Sequence, residues 1–269
     1  MGRSRDTVLR VDRVGQSFRP AIRGWFRAAP ELRPLNDVSF SIKDGESLGI
    51  VGTGGAGKST LLRVLLGLED PEVGHVTFMG QEVATLTKAQ RRRFGPNLRY
   101  LSCETIDFLS RRKTAYAIVA AALARTGLKD KALKQARVIE ALRLVGIGHA
   151  DSERRLATLS QIQCQKVALA ATIVTRPRLV VVDELAYGMD VSVQAQMLNL
   201  LLEIQDLLDM SLVMSSSNLS VAGSLCDHLL VLKAGEVVET GSAHQVTNQP
   251  SHSHTYQLLS QSRASEAFA

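Results

Sequence analysis

The chain has 269 residues, of which 45% are hydrophobic and 22% charged, a balance typical of globular proteins that excludes disorder of the whole chain. No apolar run reaches the roughly 18 residues that a membrane-spanning helix needs. The N-terminus is not followed by an apolar stretch, so a secretory signal is not expected. The net charge is +6, but the basic clusters at 91–93 and 111–113 contain no aromatic residues for base stacking, so nucleic-acid binding is not expected.

The N-terminal part of the chain predicts β structure followed by a glycine-rich loop and a helix. Residues 38–42 alternate apolar and polar side chains, as half-buried strands do, and residues 47–51 are nearly all apolar, as in buried parallel strands. The predicted elements are a strand around Val8, Val11 and Val14, strands at 38–42, 47–51 and 74–78, and a helix at 58–67.

Strand signal fades between residues 88 and 173. There, residues 115–124 and 131–145 combine strong helix formers with an apolar face, which predicts an inserted helical segment. Beyond it, the pattern predicts strands at 179–182, 211–214, 229–232 and 236–239, a helix at 191–208, and a polar tail with one helical patch from about residue 247.

Cysteine and histidine residues do not form a recognisable metal motif. Cys103, Cys164 and Cys226 lie far apart in the sequence and are predicted to be reduced, mostly buried thiols. His252 and His254 lie in the polar tail, where we expect solvated side chains.

The strongest functional motif is residues 52–59, which fit the pattern GxxxxGK followed by Ser or Thr, between a predicted strand and a predicted helix. Glycines let backbone N–H groups face phosphates without Cβ clashes, and a helix N-terminus favours an anion. Lys58 is predicted to reach the β- and γ-phosphates, and Ser59 to offer its hydroxyl to Mg²⁺. The predicted ATP-binding residues are Gly52, Thr53, Gly54, Gly55, Ala56, Gly57, Lys58, Ser59 and Thr60.

A second motif is the apolar strand that ends in two carboxylates, Asp183 and Glu184. In a P-loop protein, the first carboxylate is expected beside the metal, so Asp183 is predicted as a Mg²⁺ ligand together with Ser59. Glu184 is predicted as the catalytic base that polarises the attacking water. The alternative for Glu184 is a solvated carboxylate at a strand end.

These motifs, with the helical segment between them, resemble the ATP-binding subunits of ABC transporters, in particular bacterial dipeptide, oligopeptide and nickel importers. Residues 189–196 resemble the D-loop and following helix of that group, and residues 254–259 resemble its C-terminal segment. The resemblance implies a pair of such domains that sandwich two ATP molecules and drive paired membrane subunits. It also implies an aromatic residue against adenine, for which Phe18 fits best and Trp25 is the alternative; either could instead be a core residue.

The implied fold is α/β: a P-loop NTPase core with a mainly parallel sheet, an N-terminal antiparallel β part and an inserted helical subdomain. The predicted division is 1–94 for the N-terminal part of the core, 95–173 for the helical subdomain with a signature-like motif, 174–246 for the C-terminal part of the core, and 247–269 for the tail.

Several family motifs depart from the usual pattern. The signature motif, usually LSGGQ, occupies residues 159–163, where Ser160 could still donate to the partner's γ-phosphate but Gln161 and Ile162 replace glycines. Cys103 occupies the Q-loop glutamine position, and Ser217 occupies the switch histidine position. The groups that bind ATP are kept, whereas groups that complete the transition state are changed. ATP hydrolysis is therefore expected to be affected at both ATP sites of a pair.

Three functions remain open from the sequence. The first is a working ATPase subunit of a transporter, an importer of peptides or a similar small solute. The second is a catalytically weak ATP-binding partner in a heterodimer, and the third is a soluble ABC protein accessory to a multi-subunit enzyme. The transporter reading implies membrane subunits, a second ABC subunit and, indirectly, a substrate-binding protein as partners, and a peripheral location at the cytoplasmic face of the membrane.

Overall fold

The computed structural model describes residues 6–18, 32–102, 105, 108–124, 126–184 and 191–267. The chain forms two compact units, one comprising Met1–Leu86 with Val213–Ala269 and the other Thr87–Leu212. These boundaries differ from the four-part division at residues 94, 173 and 246, which stays a prediction.

The described residues form ten strands and ten α-helices. The strands are β1 (Thr7–Phe18), β2 (Leu32–Lys43), β3 (Ser47–Val51), β4 (Val73–Phe78), β5 (Gln81–Glu82), β6 (Leu98–Ser102), β7 (Leu179–Asp183), β8 (Ser211–Ser216), β9 (His228–Lys233) and β10 (Glu236–Ser242). The α-helices are α1 (Lys58–Leu65), α2 (Lys88–Phe94), α3 (Ala115–Ala124), α4 (Lys131–Leu144), α5 (His149–Ser152), α6 (Gln161–Ile173), α7 (Val191–Leu208), α8 (Leu219–Leu225), α9 (Ala243–Asn248) and α10 (Ser253–Ala267).

The first unit contains an antiparallel sheet with the strand order β2-β1-β4-β5. Val11, Val14 and Val38 are buried in it, whereas Arg10 and Asp37 are exposed. This alternation is what a sheet with one covered face requires. The predicted antiparallel β part near the N-terminus is therefore confirmed.

A second group of strands in the first unit has the order β10-β9-β3-β8. All five residues of β3 are buried, and β3 pairs parallel with β9, with Leu48 opposite His228. β10 pairs antiparallel with β9. Because parallel strands are covered on both faces, the near-continuous apolar sequence of β3 is the expected signature.

The second unit places β7 beside β6 in a parallel pair, with Leu98 opposite Leu179 and Ser102 opposite Asp183. The backbone N–H of Ser211, at the start of β8, donates to the carbonyl of Arg178. Together with the parallel pairing of β3 with β9, this pairing confirms the predicted α/β class with a mainly parallel sheet.

The helices α3, α4 and α6 pack on one another in the second unit. Residues 164–173 of α6 are buried except for Lys166, so this helix lies at the centre of the cluster. Nη2 of Arg176, just beyond α6, donates to both carboxylate oxygens of Glu140 of α4, each at 2.9 Å. The predicted helices at 115–124 and 131–145 are present, the latter ending at Leu144.

Two features differ from the sequence predictions. β6 lies within the stretch that showed no strand signal, because only two of its five side chains are aliphatic. His254 is buried rather than solvated, since it lies in α10 with Leu258 and Leu259 on the covered side of the helix. None of the helices in the described part of the chain has the length and apolarity needed to span a bilayer.

Candidate functional site

The phosphate-loop motif connects the buried strand β3 to the helix α1, as predicted. Gly57 is the N-cap of α1 and has φ 104°, a left-handed conformation that favours glycine. Gly57 has no side chain that could accept a hydrogen bond from the first-turn N–H groups. The N-terminus of α1 thus offers its amides and the positive end of its dipole to an anion.

Backbone hydrogen bonds hold the loop in place within the first unit. The N–H of Gly52 donates to Ser216 at 3.4 Å, and the N–H of Gly235 donates to Ala56 at 2.9 Å. These bonds connect the loop to β8 and to the turn between β9 and β10. Such bonds restrain the loop backbone, and restraint of a binding loop lowers the entropy cost of binding.

Lys58 points back into the loop. Its ammonium group donates to the carbonyl of Gly52 at 2.8 Å and to that of Thr53 at 3.3 Å, and the side chain is buried. Ser59 and Thr60 follow in the first turn of α1; Ser59 is exposed and Thr60 half-buried. The structure thus places the predicted cation and the predicted hydroxyl at the same helix start.

The glycines of the loop are needed for different reasons. A Cβ on Gly52 or Gly57 would collide with a backbone carbonyl, that of Leu232 or Pro34 respectively. A Cβ on Gly54 would meet no atom within 4 Å, and the φ of Gly54 is not in the left-handed region. The fold therefore explains Gly52 and Gly57, whereas Gly54 leaves open space on the exposed side of the loop, where phosphate oxygens would approach the backbone.

β7 carries the two predicted carboxylates in the second unit. The residues from Leu179 to Val182 are fully buried, and Asp183 and Glu184 are half-buried where the strand ends. Glu184 has φ 42°, a left-handed conformation that costs a non-glycine residue about 1–3 kcal/mol. Such strain persists only where the surrounding structure supports it, and it is common at active sites.

A residue that the sequence analysis missed contacts this site. The hydroxyl of Tyr100, on β6, donates to Oδ2 of Asp183 at 3.3 Å. The only signal in the sequence was an aromatic residue shortly before a predicted family motif, and its partner lies 83 positions away.

The signature-like segment forms the N-terminus of α6. Ser160 is the N-cap, and its Oγ accepts from the N–H of Gln163 at 3.3 Å, while Oε1 of Gln163 accepts from the N–H of Ser160 at 3.0 Å. Nε2 of Gln163 also donates to Oδ2 of Asp151 at 3.0 Å. Gln161 is exposed and Ile162 half-buried. This helix start is thus capped by its own side chains.

The switch position, Ser217, is exposed and directly follows β8. The preceding residue, Ser216, contacts the loop through the N–H of Gly52, so Ser217 lies one residue from the phosphate loop. A serine there can form hydrogen bonds but cannot act as an imidazole does.

Some predicted positions lie outside the described residues. These are Trp25, the Q-loop position Cys103, and Met189 and Asp190 of the D-loop-like segment. Phe18 is the last residue of β1 and pairs with Leu32, but its side chain is outside the described part.

The tail resembling the importer C-terminus forms α10, which is held by Glu239 of β10. Its carboxylate accepts from the N–H of Ser251 at 2.7 Å, from the N–H of His252 at 3.1 Å and from the hydroxyl of Thr255. Burial alone would raise the pKa of Glu239, but the hydrogen bonds from Thr255, Ser251 and His252 together lower it.

The donor groups of each unit suit part of ATP and Mg²⁺. In the first unit, the backbone amides and Lys58 match phosphate oxygens, and the hydroxyl of Ser59 is a hard oxygen ligand of the kind that Mg²⁺ prefers; in the second unit, the carboxylate of Asp183 is another.

Comparisons with known proteins agree with the resemblance. The family model described as ABC transporter matches residues 35–186. The oligopeptide transport ATP-binding protein OppD of Mycobacterium tuberculosis is 35% identical over 254 residues, which are 94% of this chain and 41% of OppD. The probable peptide ABC transporter ATP-binding protein y4tS of Sinorhizobium fredii is 31% identical over 94% of this chain and 72% of its own length. The chain therefore spans less than half of OppD but most of y4tS.

Solved structures share the fold at low sequence identity. The cbiO1 protein of Clostridium perfringens, part of the ABC transporter complex cbiONQ, superposes with a TM-score of 0.78, 22% identity, and coverage of 97% of this chain and 99% of its own. A dimeric ATP-binding cassette in a post-hydrolysis state, bound to ADP and Pi, gives a TM-score of 0.71, 20% identity and coverage of 87% and 98%. The fold and the family match together show that this chain belongs to the ABC transporter family.

Proposed function

We propose that this chain is the ATP-binding subunit of an ABC importer for peptides or a similar small solute, in which it couples ATP binding and hydrolysis to transport. The observation that carries the proposal is the glycine-capped N-terminus of α1, with Lys58 inside the loop and open space at Gly54. The similarity to OppD, an oligopeptide transport ATP-binding protein, and to y4tS, a probable peptide ABC transporter ATP-binding protein, supports the peptide importer hypothesis.

In this proposal, each group at the site has one role. The loop amides and Lys58 bind the β- and γ-phosphates, while Ser59 and Asp183 hold Mg²⁺. Mg²⁺, when bound, neutralises charge that develops on the phosphate oxygens. Glu184 accepts a proton from the attacking water, and Phe18 stacks on adenine.

The proposed partners are paired membrane subunits, a second ABC subunit and, indirectly, a substrate-binding protein. The location that follows is peripheral, at the cytoplasmic face of the cell membrane. Failure of the chain to co-purify with any membrane subunit would favour the alternative, a soluble ABC protein accessory to a multi-subunit enzyme.

A second candidate function is a catalytically weak partner in a heterodimer. Two observations favour it: the side-chain capping of α6 at Ser160, and a serine at position 217 beside the loop. In this version the chain binds ATP and stabilises the pair, and the other ABC subunit hydrolyses most of the ATP.

ATP turnover by the complex purified with its natural partners tests both versions. Glu184→Gln should lower turnover at least tenfold if this chain's own site hydrolyses ATP, because only that version needs the carboxylate. Unchanged turnover, together with weaker ATP binding by Lys58→Ala, would identify the chain as a nucleotide-holding partner. If Lys58→Ala leaves ATP binding intact, the nucleotide site itself is assigned wrongly.

A further inference from the structure

We infer that Tyr100 is a positioning residue for the metal-binding carboxylate, Asp183, and so tunes the Mg²⁺ dependence of nucleotide binding. The inference rests on the proposed function, in which Asp183 holds Mg²⁺. Both residues lie in the second compact unit, on the neighbouring parallel strands β6 and β7.

The pairing of the two strands explains how the side chains meet. Tyr100 lies opposite Val181, and Ser102 lies opposite Asp183, so Asp183 is two residues further along than the partner of Tyr100. Two residues of a strand span about 6.6 Å. Strand side chains lean along the strand direction, and a tyrosine is long enough to cross that interval. Its hydroxyl accordingly lies 3.3 Å from Oδ2 of Asp183.

Both side chains are also on matching faces of the pair. Residues two apart on a strand point to the same side, so Val181 and Asp183 share a face of β7. On β6, the neighbouring residue Arg99 donates to the carbonyl of Ala171, which places it towards α6. Tyr100 therefore points away from α6, and 39% of its surface remains exposed beside the end of β7.

The contact restricts what the carboxylate can do. A tyrosine hydroxyl that donates to Oδ2 restricts the rotation of the carboxyl group about its Cβ–Cγ bond. Groups that orient a metal ligand in this way typically change metal affinity or activity by about 10–100-fold when they are removed.

The test measures binding of a fluorescent ATP analogue by the full chain in EDTA and across a Mg²⁺ titration. Tyr100→Phe removes only the hydroxyl, at a position that is partly exposed, so the fold should be retained. We expect the Mg²⁺ concentration for half-maximal effect to rise about tenfold, with affinity in EDTA unchanged. Tyr116→Phe, at a half-buried tyrosine of α3, is the matched control and should bind like wild type.

Asp183→Asn separates failure of the inference from failure of the proposed function. If Asp183→Asn abolishes the Mg²⁺ effect while Tyr100→Phe matches wild type, the positioning role of Tyr100 is wrong and the proposed function stands. If Asp183→Asn keeps the Mg²⁺ effect, the metal role of Asp183 is wrong and the inference falls with it. An equal loss of affinity in EDTA and in Mg²⁺ for Tyr100→Phe would also overturn the inference, because it would show a general structural role.

Discussion

The starts of α1 and α6 are both predicted to meet phosphate, yet they are built differently. At α1, the N-cap is Gly57 in a left-handed conformation, without a side chain that could use the first-turn amides. At α6, Ser160 and Gln163 satisfy each other's backbone N–H groups, and Gln163 is held in turn by Asp151. The first helix start has no side-chain cap, whereas the second uses its own side chains to satisfy its N–H groups.

The start of α10 is built in a third way, because a carboxylate from another element, Glu239, accepts N–H groups there. Glu239 of β10 accepts the N–H groups of Ser251 and His252, immediately before the helix begins. A carboxylate in that position is stabilised by the helix dipole and by hydrogen bonds. At α10, the interaction between N–H groups at a helix start and an anion attaches the C-terminal helix to the sheet. The same interaction is proposed for a phosphate at α1.

The largest expected effects come from alanine substitutions at two glycines of the loop before α1, one of which affects stability and the other ATP binding. Gly57→Ala should destabilise the protein by about 3 kcal/mol, since it combines a left-handed backbone with a collision at the carbonyl of Pro34. Gly54→Ala should change stability by less than about 0.5 kcal/mol, because its Cβ meets nothing, but should weaken ATP binding about tenfold or more. Urea unfolding and ATP titration measure the two quantities.

The control for this pair is Gly148→Ala, because a Cβ there also meets no atom within 4 Å. It should leave ATP affinity unchanged. ATP affinity retained by Gly54→Ala would contradict the interpretation of the open space as a phosphate cradle.

A smaller effect is expected at α10. Glu239→Gln should cost about 1–2 kcal/mol, because hydrogen bonds to a charged acceptor are replaced by weaker ones. The folded-state pKa of Glu239 is lowered, so its contribution is present at neutral pH and is lost as the pH falls from the ordinary glutamate range, about 4.3, through the lower folded value.

Unfolding free energies measured from neutral to acidic pH check this prediction. The difference between wild type and Glu239→Gln should shrink as the pH falls. Glu82→Gln, at an exposed glutamate of β5, is the control and should leave the profile unchanged. A difference that stays constant with pH would show that the charge of Glu239 does not stabilise α10.

The smallest effect is expected at α6. Ser160→Ala removes the N-cap and should destabilise the protein by about 1 kcal/mol, whereas Ser160→Thr keeps a capping hydroxyl and should cost less. Neither change should alter ATP affinity of the isolated chain, because the loop of α1 carries the phosphate contacts in the proposal. Weaker ATP binding by Ser160→Ala alone would show that α6 contributes to the chain's own nucleotide site.

Local patterns predicted much of the fold. The apolar run of β3 and the helices at 115–124 and 191–208 were predicted with bounds that match the structure. α6 was not predicted as a separate helix because it is buried nearly all round, so its apolar residues show no one-sided periodicity. The strand β6 was not predicted because only two of its five side chains are aliphatic, so its own sequence shows no strand pattern.

The candidate site divides in the same way. Binding roles were predicted for residues 52–59 and Asp183 because each belongs to a motif of consecutive residues. Tyr100 was not, because its contact with Asp183 depends on the register of two strands that are distant in the sequence. The prediction that His254 is solvated was wrong because the polar sequence of the tail does not show how α10 packs.

The sequence by itself determined the phosphate loop, the class of fold and the resemblance to ABC transporter subunits, because each depends on local spacing and local propensity. Only the tertiary structure decided at which glycines of the loop a Cβ would collide with a backbone carbonyl and at which it would meet no neighbour. It also decided that Ser160 is occupied by Gln163, and that Tyr100 holds Asp183. The physical reason is that collisions, capping bonds and contacts between strands are set by the distances between atoms in the folded chain.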